Sequence, residues 1–304
     1  LLLALFSITI LPSLIVSIVL ADGAHNAFLI AITVTLVGGA LMWLPVKNFS
    51  GELRLRDGFI IVVLFWLVLG LCGSIPFLAV QNPQMSVIDS IFESISGLTT
   101  TGATVLKDID EVVPSLLFYR QFLQWLGGMG IIVLAVAVLP MLGVGGMQLY
   151  RAETPGPMKE SKLTPRIKET AKMLWYIYLS LTICCAVAYY LAGMPFFDAV
   201  AHSFSTVAIG GFSTHNMSIG HFDNAMIELV AIFFMFVAGV NFTLHFISWR
   251  QKSINHYLKD SEFVTYASIL ILAFLVCSIG LFSLSTADVD ISTIIRKSLF
   301  QTIS

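Results

Sequence analysis

The stretch Leu98-Thr99-Thr100-Thr101-Gly102-Ala103 stands between two apolar blocks, and a degenerate copy, Val207-Ala208-Ile209-Gly210-Gly211-Phe212, follows it later in the chain. At membrane depth, non-helical backbone is tolerated only where it is buried in protein or lines a hydrated path. Replacing the hydration shell of a cation with backbone carbonyl oxygens is a task that needs such a loop. The repeated glycine loop therefore favours a cation pore.

The composition is that of a membrane protein. Of the 304 residues, 57% are hydrophobic and 11% are charged, whereas soluble domains carry about 25% charged residues. The net charge of −2 gives no basic surface for nucleic acid. The cysteines lie in apolar stretches without metal-ligand spacing, so we interpret them as packing residues: Cys72, Cys184, Cys185 and Cys277.

Seven apolar runs are long enough, at about 20 residues each, to cross a bilayer as helices. They are 2–20, 28–46, 58–80, 115–142, 172–193, 225–248 and 263–285. Twelve of the sixteen basic residues follow the second, fourth and sixth runs: Lys47, Arg54, Arg56, Arg151, Lys159, Lys162, Arg166, Lys168, Lys172, Arg250, Lys252 and Lys259. By the positive-inside rule these residues face the cytoplasm, which places both glycine loops toward the outside.

The predicted outer segments are acidic. They carry Asp22, Asp89, Glu93, Asp108, Asp110, Glu111, Asp198, Asp223, Asp288 and Asp290. An acidic vestibule would concentrate cations at a pore mouth. For any single carboxylate, solvation of a loop is the simpler interpretation.

The glycine loops belong to a longer internal repeat. One constant shift along the sequence superposes four identical pairs, which are Asp89 and Asp198, Ser94 and Ser203, Ser96 and Ser205, and Gly102 and Gly211. A second, larger shift places Ser94-Ile95-Ser96 on Thr302-Ile303-Ser304. Each copy has a span, a short amphipathic segment, a glycine loop and another span. We predict an all-α polytopic membrane protein with repeated helix, re-entrant pore helix, helix units of a cation channel-like transporter.

This repeat divides the chain into five predicted parts. Residues 1–57 form two N-terminal transmembrane helices and a cytoplasmic loop, and residues 58–150 form the first pore unit. Residues 151–171 form a second cytoplasmic loop, 172–250 the second pore unit, and 251–304 the start of a third unit that stops before its filter. Because the chain also begins without methionine, we expect it to be a fragment truncated at both ends.

Segments 88–98 and 197–207 are too short to cross the membrane, so a helix there must enter from outside and turn back. Its C-terminal end then carries a partial negative charge that favours a cation, and glycine permits the positive φ that turns carbonyls toward one axis. Backbone oxygens should dominate, because Ala208 and Ile209 have no polar side-chain atoms. The predicted ion-binding residues are Thr99, Thr100, Thr101, Gly102, Ala208, Ile209, Gly210 and Gly211.

Two further polar features lie near these loops. Arg120 lies near the outer start of the fourth span, where a buried charge needs a partner, and Glu93 on the first short segment is a candidate for an ion pair that supports the filter. The alternative is an interfacial arginine that reaches the lipid headgroups. Asn241 and His245 lie within the sixth span, where we expect hydrogen bonds between helices rather than a pore-lining role.

Several motifs together resemble the Trk-type potassium uptake transporters of the Trk/Ktr/HKT superfamily, and the resemblance runs over the whole chain. They are Phe92 to Ala103, Phe118-Tyr119-Arg120-Gln121, Trp125 to Gly130, Gly145 to Glu153 and Ile209 to His215. The resemblance implies four units around one pore, with K+ as the transported ion. It also implies that Gly102 and Gly211 set the filter, with ion-facing carbonyls from Thr100, Thr101, Ile209 and Gly210. Glycine in the first unit implies potassium preference.

The same resemblance implies a multi-pass protein of the bacterial inner membrane and a homodimer with a cytosolic nucleotide-binding regulatory subunit (TrkA-like). The proline-containing stretch 150–172 would be the docking loop, although a solvated linker has the same composition. No catalytic constellation is present, so we predict neither an enzyme nor an organic cofactor. Two alternatives to potassium uptake are a non-conducting membrane scaffold and a sodium/potassium carrier with alternating access.

Overall fold

The structure is a computed structural model that describes residues 2–47, 55–133, 164–284 and 290–304. Its described part contains helices and no β-strand, as predicted. The helices are α1 (Leu2–Thr9), α2 (Leu11–Leu20), α3 (His25–Trp43), α4 (Leu55–Gly73), α5 (Ile75–Ala79), α6 (Val87–Leu98), α7 (Pro114–Val133), α8 (Thr164–Leu191), α9 (Phe196–Val207), α10 (Ala225–Ala238), α11 (Phe242–Gln251), α12 (Asn255–Lys259), α13 (Ser261–Leu284) and α14 (Ile291–Ile303).

Five stretches of the described chain are helical, long and apolar enough to cross a membrane, and they correspond to the first, second, third, fifth and seventh predicted spans. They are Leu3–Leu20, His25–Val46, Val62–Ala79, Lys172–Leu191 and Ser261–Ser283. The fourth predicted span is helical as α7, but polar side chains lower the hydropathy of this helix. The rest of that span, 134–142, lies outside the described residues, as does the motif 145–153.

The sixth predicted span, 225–248, is wrong as one continuous helix. It consists of α10 and α11, which meet at an angle of 90°. The Tyr266 hydroxyl donates to the carbonyl of Phe236 at 3.3 Å, which takes an acceptor from the helical ladder. The Asn241 side chain then accepts from the amide of Thr243 at 3.0 Å and begins a new helix. A capping side chain and a competing hydroxyl together account for the break.

Asn241 and His245 have the structural role that we expected. Asn241 Nδ2 donates to Glu262 Oε2 at 3.2 Å, and so joins the start of α11 to α13. His245 lies 2.8 Å from the Tyr257 hydroxyl and 2.9 Å from the carbonyl of Val237. These bonds hold the bent segment against its neighbours.

The last part of the predicted cytoplasmic segment 151–171 is helical. Helix α8 begins at Thr164 and reaches the fifth span, which the structure gives as Lys172–Leu191. Pro165 lies in the first turn of this helix, where its missing N–H group costs nothing. Residues 151–163 lie outside the described residues.

The predicted order of helix, short helix and helix recurs in the packing. Helix α6 packs between α4 and α7, and α9 packs against α8 and α7. The short helix α14 packs against α13 and α10 in the same manner. An ion pair between Arg296 Nε and Glu228 Oε2 at 2.9 Å joins α14 to α10. The unit boundaries placed between these helices stay predictions.

Helix α7 approaches both short helices because it carries glycine at the contacts. A β-carbon at Gly127 would lie 1.8 Å from the carbonyl oxygen of Leu98, the last residue of α6. At Gly128 it would lie 2.7 Å from the Tyr178 hydroxyl and 3.2 Å from the β-carbon of Ala208. Small residues at these positions let the helix backbones come close together.

We expect Gly127→Ala to destabilise the protein, since the methyl group must displace backbone and overpacking costs about 1–3 kcal/mol. Gly130→Ala is the matched control, because its β-carbon would lie 3.7 Å from Trp66, which is an ordinary contact. Both substitutions replace glycine by alanine within α7, so both raise the intrinsic helix propensity by the same amount. Thermal unfolding of the full-length protein in detergent should show a lower midpoint for Gly127→Ala alone. Equal midpoints for the two variants would contradict the close approach.

Candidate functional site

The two glycine loops have the same backbone conformation. Thr100 and Ile209, which are superposed by the repeat, have φ values of 56° and 51°, and Gly102 and Gly211 have values of 73° and 81°. The amide of Thr101 donates to the carbonyl of Ser96 at 2.9 Å, as the amide of Gly210 does to Ser205 at 2.8 Å. The sequence repeat is therefore also a repeat of backbone geometry, and it includes positive φ at two residues that are not glycine.

Each loop directly follows the C-terminal end of a short helix. The Ser86 side chain accepts from the amide of Asp89 at 3.1 Å and begins α6, which is twelve residues long. Helix α9 has the same length. The C-terminal end of such a helix carries about half a negative charge, which falls on the loop. Both loops therefore present backbone at an electrostatically negative position.

Most carbonyl oxygens of the loops have no protein donor. Within the described residues, no hydrogen bond reaches the carbonyl of Thr100, Thr101 or Ile209. The same holds for the remaining predicted ion-binding residues apart from Gly210: Thr99, Gly102, Ala208 and Gly211. Thr101 and Ile209 are exposed and Thr100 is partly exposed, so these free carbonyls are accessible to a ligand and are not buried without a partner. A repeated row of free acceptors is suited to bind a dehydrated cation.

Gly210 differs from the other predicted ion-facing residues. Its carbonyl accepts a hydrogen bond from Gln124 Nε2 at 2.6 Å. The same oxygen would lie 1.9 Å from a β-carbon at Gly102, so the two loops approach each other at this point. Since a carbonyl has two lone pairs, one remains on Gly210. Gly102 is required here both for its positive φ and for this contact between loops.

A cavity of about 350 Å3 lies where the ends of the three short helices meet. Its lining includes Thr101 and Gly102 from the first loop, Gly210 and Gly211 from the second, and Ser304 at the end of α14. The cavity is thus formed by corresponding parts of all three repeats. Its location and its carbonyl groups make it the candidate ion pathway.

Glu93 and Arg120 form the ion pair that we predicted. Arg120 NH2 lies 2.6 Å from Glu93 Oε1, and both side chains are fully buried. The Glu93 carboxylate also accepts from the Thr104 hydroxyl at 2.9 Å and from the amide of Val105 at 3.1 Å. Each charge is therefore paired and hydrogen-bonded, as a buried charge requires. The pair fixes the segment directly after the first glycine loop.

The same arginine also contacts the second loop. Arg120 NH1 donates to the carbonyl of Ser213 at 3.3 Å, and its guanidinium lies 4.2 Å from the centre of the Phe212 ring. Its planar fork of donors allows these contacts to form simultaneously. One side chain of α7 therefore holds both glycine loops.

The second unit has its own version of the Glu93 contact. In the repeat, His202 occupies the position equivalent to Glu93, and Ser213 occupies the position equivalent to Thr104. His202 Nε2 lies 3.0 Å from Ser213 Oγ, so this pair reproduces the contact between Glu93 and Thr104. His202 and Ser213 were not among the predicted site residues, although the shift that superposes the serines also superposes them on Glu93 and Thr104.

Two glutamines that were not predicted from sequence also contact the second loop. Gln121 Nε2 donates to the carbonyl of Phe212 at 3.2 Å, and Gln124 Oε1 accepts from the amide of Phe212 at 3.2 Å. Both side chains are buried. With Arg120 they form one polar face of α7, at the i, i+1 and i+4 spacing that places residues on one side of a helix. Polar residues at that spacing in an apolar span were the available signal.

The outer ends of the two loops are joined as well. Asn216 Oδ1 accepts from the amide of Ile109 at 2.8 Å, and His215 Nδ1 donates to Asp110 Oδ1 at 2.8 Å. This hydrogen bond from His215 holds the pKa of Asp110 below its ordinary value. Asp110 is therefore a stable negative charge in the predicted acidic vestibule.

We expect Arg120→Ala to cost about 3–5 kcal/mol of folding free energy, because it leaves Glu93 buried without a counter-charge. Arg296→Ala is the matched control, since its ion pair with Glu228 is partly exposed and should be worth at most about 1 kcal/mol. Chemical denaturation of the full-length protein in detergent measures both. Adding Glu93→Gln to Arg120→Ala should recover part of the loss. Equal losses for the two single variants would contradict this account of the buried pair.

Known proteins of one family share this architecture. A family model named TrkH and described as a cation transport protein matches residues 24–301. The chain is 55% identical to the Trk system potassium uptake protein TrkH of Vibrio parahaemolyticus, over 100% of the chain and 63% of that relative. It is 48% identical to TrkH of Escherichia coli K12, with the same coverage, and 42% identical to TrkG of that strain, over 92% of the chain and 59% of the relative.

A solved structure agrees with these matches. The crystal structure of the potassium transporter TrkH from Vibrio parahaemolyticus superposes with a TM-score of 0.89 at 51% sequence identity, over 99% of this chain and 61% of that one. The chain thus spans less than two thirds of the length of these relatives. A transporter family agrees with the prediction that the chain is not an enzyme. From the family match and the shared fold, we conclude that this membrane protein belongs to the TrkH family of cation transport proteins.

Proposed function

We propose that the full-length protein carries K+ into the cell through a selectivity filter of backbone carbonyls. The observation that carries the proposal is the repeated row of unpaired carbonyls at Thr100, Thr101 and Ile209, beside a cavity shared by three repeats. Relatives at 48–55% identity are named Trk system potassium uptake proteins. Since the chain spans 63% of those relatives, potassium uptake is assigned to the whole protein.

The filter residues proposed from sequence keep their assignments, with one refinement. Thr99, Thr100, Thr101, Gly102, Ala208, Ile209, Gly210 and Gly211 form the ion-binding loops. The ion-facing oxygens are those of Thr100, Thr101 and Ile209, and Gly210 adds the lone pair that Gln124 leaves free. Gly102 sets the selectivity, since its lack of a side chain allows the second loop to approach.

Electrostatics favours a cation along this path, and no acidic side chain is among the described residues that line the cavity. The C-terminal ends of α6 and α9 place partial negative charge at the loops, and the outer carboxylates raise the local cation concentration. The membrane potential supplies about 2.3 kcal/mol per charge per 100 mV, which drives uptake. K+ is then the transported ion, and the protein needs no organic cofactor for this step.

Glu93 and Arg120 support the filter in this proposal. Their buried pair joins the end of the first loop to α7, and Arg120 extends the connection to Ser213 in the second loop. Neither side chain is exposed, so neither is expected to bind the ion. Their role is to keep the two loops at a constant separation, on which selectivity depends.

The proposal also includes the assembly and location implied by the family. The protein would be a homodimer in the bacterial inner membrane, controlled by a cytosolic nucleotide-binding subunit of the TrkA type. In support, the predicted docking loop 150–172 comes after α7 along the chain, and Arg120 of α7 contacts the segments at both glycine loops. We infer that a partner bound to that loop acts on the filter through α7. A non-conducting scaffold would have no use for free carbonyls beside a cavity.

We expect Gly102→Ser to reduce the preference for K+ over Na+ by at least about tenfold, which is about 1.4 kcal/mol. The serine β-carbon would displace the carbonyl of Gly210. Gly23→Ser is the matched control, because Gly23 has φ 82° but nothing within 4 Å of its β-carbon position. The measurement is Rb+ flux into liposomes containing the full-length protein, with K+ and Na+ as competitors.

Three results would decide the matter. Block of Rb+ flux by K+ in the wild type and in Gly23→Ser, with selectivity lost in Gly102→Ser, supports the filter. Absence of flux even with the regulatory partner present supports the scaffold alternative. If the amount and the selectivity of the flux are the same in Gly102→Ser as in the wild type, the loop has a purely structural role.

A further inference from the structure

Three metal-ligating side chains meet at the outer ends of the glycine loops. Asp110 follows the first loop, and His215 and His221 follow the second. Each offers one ligand atom, and these atoms all lie within 4.8 Å of one another. Among the described residues this cluster is separate from the carbonyls of the loops, and the potassium pathway makes no use of its imidazoles.

The two imidazole rings are arranged face to face. Their centroids are 3.6 Å apart and their planes differ by 4°. His215 lies against the Asp110 carboxylate, with 2.8 Å between Nδ1 and Oδ1. The stack places both rings beside that carboxylate at the protein surface, where Asp110 and His221 are exposed. Exposure leaves these two side chains free to turn toward a common point.

The surroundings of the two histidines favour metal ligation. Within the described structure, no protein group hydrogen-bonds the ring nitrogens of His221, so both remain available. Nε2 of His215 lies 3.6 Å from Oδ1 of Asp198, which also accepts from the Thr214 hydroxyl. A histidine that binds metal through one nitrogen usually donates the other N–H to a carboxylate. Asp198 is in position to be that carboxylate.

We propose that Asp110, His215 and His221 bind a divalent transition-metal ion, of which Zn2+ is the expected representative, and that the bound ion slows cation passage through the loops below. Imidazole nitrogen suits Zn2+, whereas Mg2+ and Ca2+ prefer oxygen. Three protein ligands and one water make the usual open zinc site. With Zn–N bonds of about 2.0–2.1 Å, tetrahedral ligand atoms stand about 3.3 Å apart, so the side chains need to close by roughly 1.5 Å at most.

Binding requires one rearrangement of protons. In the metal-free protein His215 carries its proton on Nδ1 and donates it to Asp110. In the complex Nδ1 donates its lone pair to the metal, and the proton is on Nε2, where it faces Asp198. His221 binds as a neutral imidazole. No redox step is involved, and no proton is lost from neutral histidines.

The bound ion affects transport because its three ligands belong to two different units. Asp110 belongs to the outer segment of the first unit, and both histidines belong to that of the second. A bound ion therefore fastens the two segments together and replaces a negative vestibule charge by a net positive one. The change of charge opposes K+ entry. This part of the inference depends on the proposed function, whereas metal binding itself does not.

The first test is Zn2+ binding to the purified full-length protein, with any affinity tag removed, by calorimetry and by the visible absorption of a Co2+ complex. We expect His221→Ala to weaken binding at least tenfold and to remove the Co2+ absorption. His25→Ala is the matched control, because His25 is also exposed and lies at a helix start outside the cluster. Equal binding by the wild type and by His221→Ala, or no binding by the wild type, overturns the site.

The second test is Rb+ flux into liposomes at increasing external Zn2+. We expect inhibition of the wild type and of His25→Ala, and at least tenfold more Zn2+ for the same inhibition of His221→Ala. Equal inhibition of the three proteins overturns the effect on transport. If the wild type shows no flux at all, the proposed function fails, while the binding measurement still decides the metal site.

Discussion

The guanidinium of Arg120 contacts the segment directly after the first glycine loop and the end of the second loop. It pairs with Glu93 behind the first loop, donates to the carbonyl of Ser213 after the second, and lies over the ring of Phe212. Loops with unpaired carbonyls gain no stability from a backbone ladder, so their separation must be set by side chains. The cavity and the positions of the carbonyl oxygens that face it depend on this separation.

This arrangement makes α7 more polar than an ordinary membrane-spanning helix. A helix with Arg120, Gln121 and Gln124 on one face is a poor membrane span by hydropathy, and here that face is buried and hydrogen-bonded to the loops. Buried ion pairs often contribute little net stability. Their value here is geometric, since Arg120 and its neighbours specify one relative position of two repeats. Gly127 and Gly128 also let this helix come close to the ends of both short helices.

The repeat could be predicted from sequence because equivalent residues of its two copies are separated by one constant distance along the chain. The shift that superposes the two copies also identified which backbone positions would turn, and the structure gives positive φ at Gly102 and Gly211. The ion pair could be predicted because an isolated buried arginine needs a carboxylate. Positive φ at Thr100 and Ile209 could not, since neither residue type favours it.

Other features depend on contacts between distant parts of the chain. The bend between α10 and α11 needs the hydroxyl of Tyr266, which comes from a later helix, α13. The His202–Ser213 contact was hidden because the repeat changes residue type there, from carboxylate to imidazole. Asp110 and His215 are far apart in the sequence and meet only through folding. For the bend and for the contact between Asp110 and His215, no regular spacing in the sequence identifies the partner.

The central claim is that the unpaired carbonyls of two equivalent loops replace the hydration shell of a cation. Anomalous diffraction from crystals of the full-length protein grown in Rb+ tests it most directly, because Rb+ stands in for K+ and its position is measured independently of transport. The account predicts an Rb+ peak coordinated by the carbonyl oxygens of Thr100, Thr101 and Ile209. Rb+ bound elsewhere in the protein, with no peak at these oxygens, would contradict it.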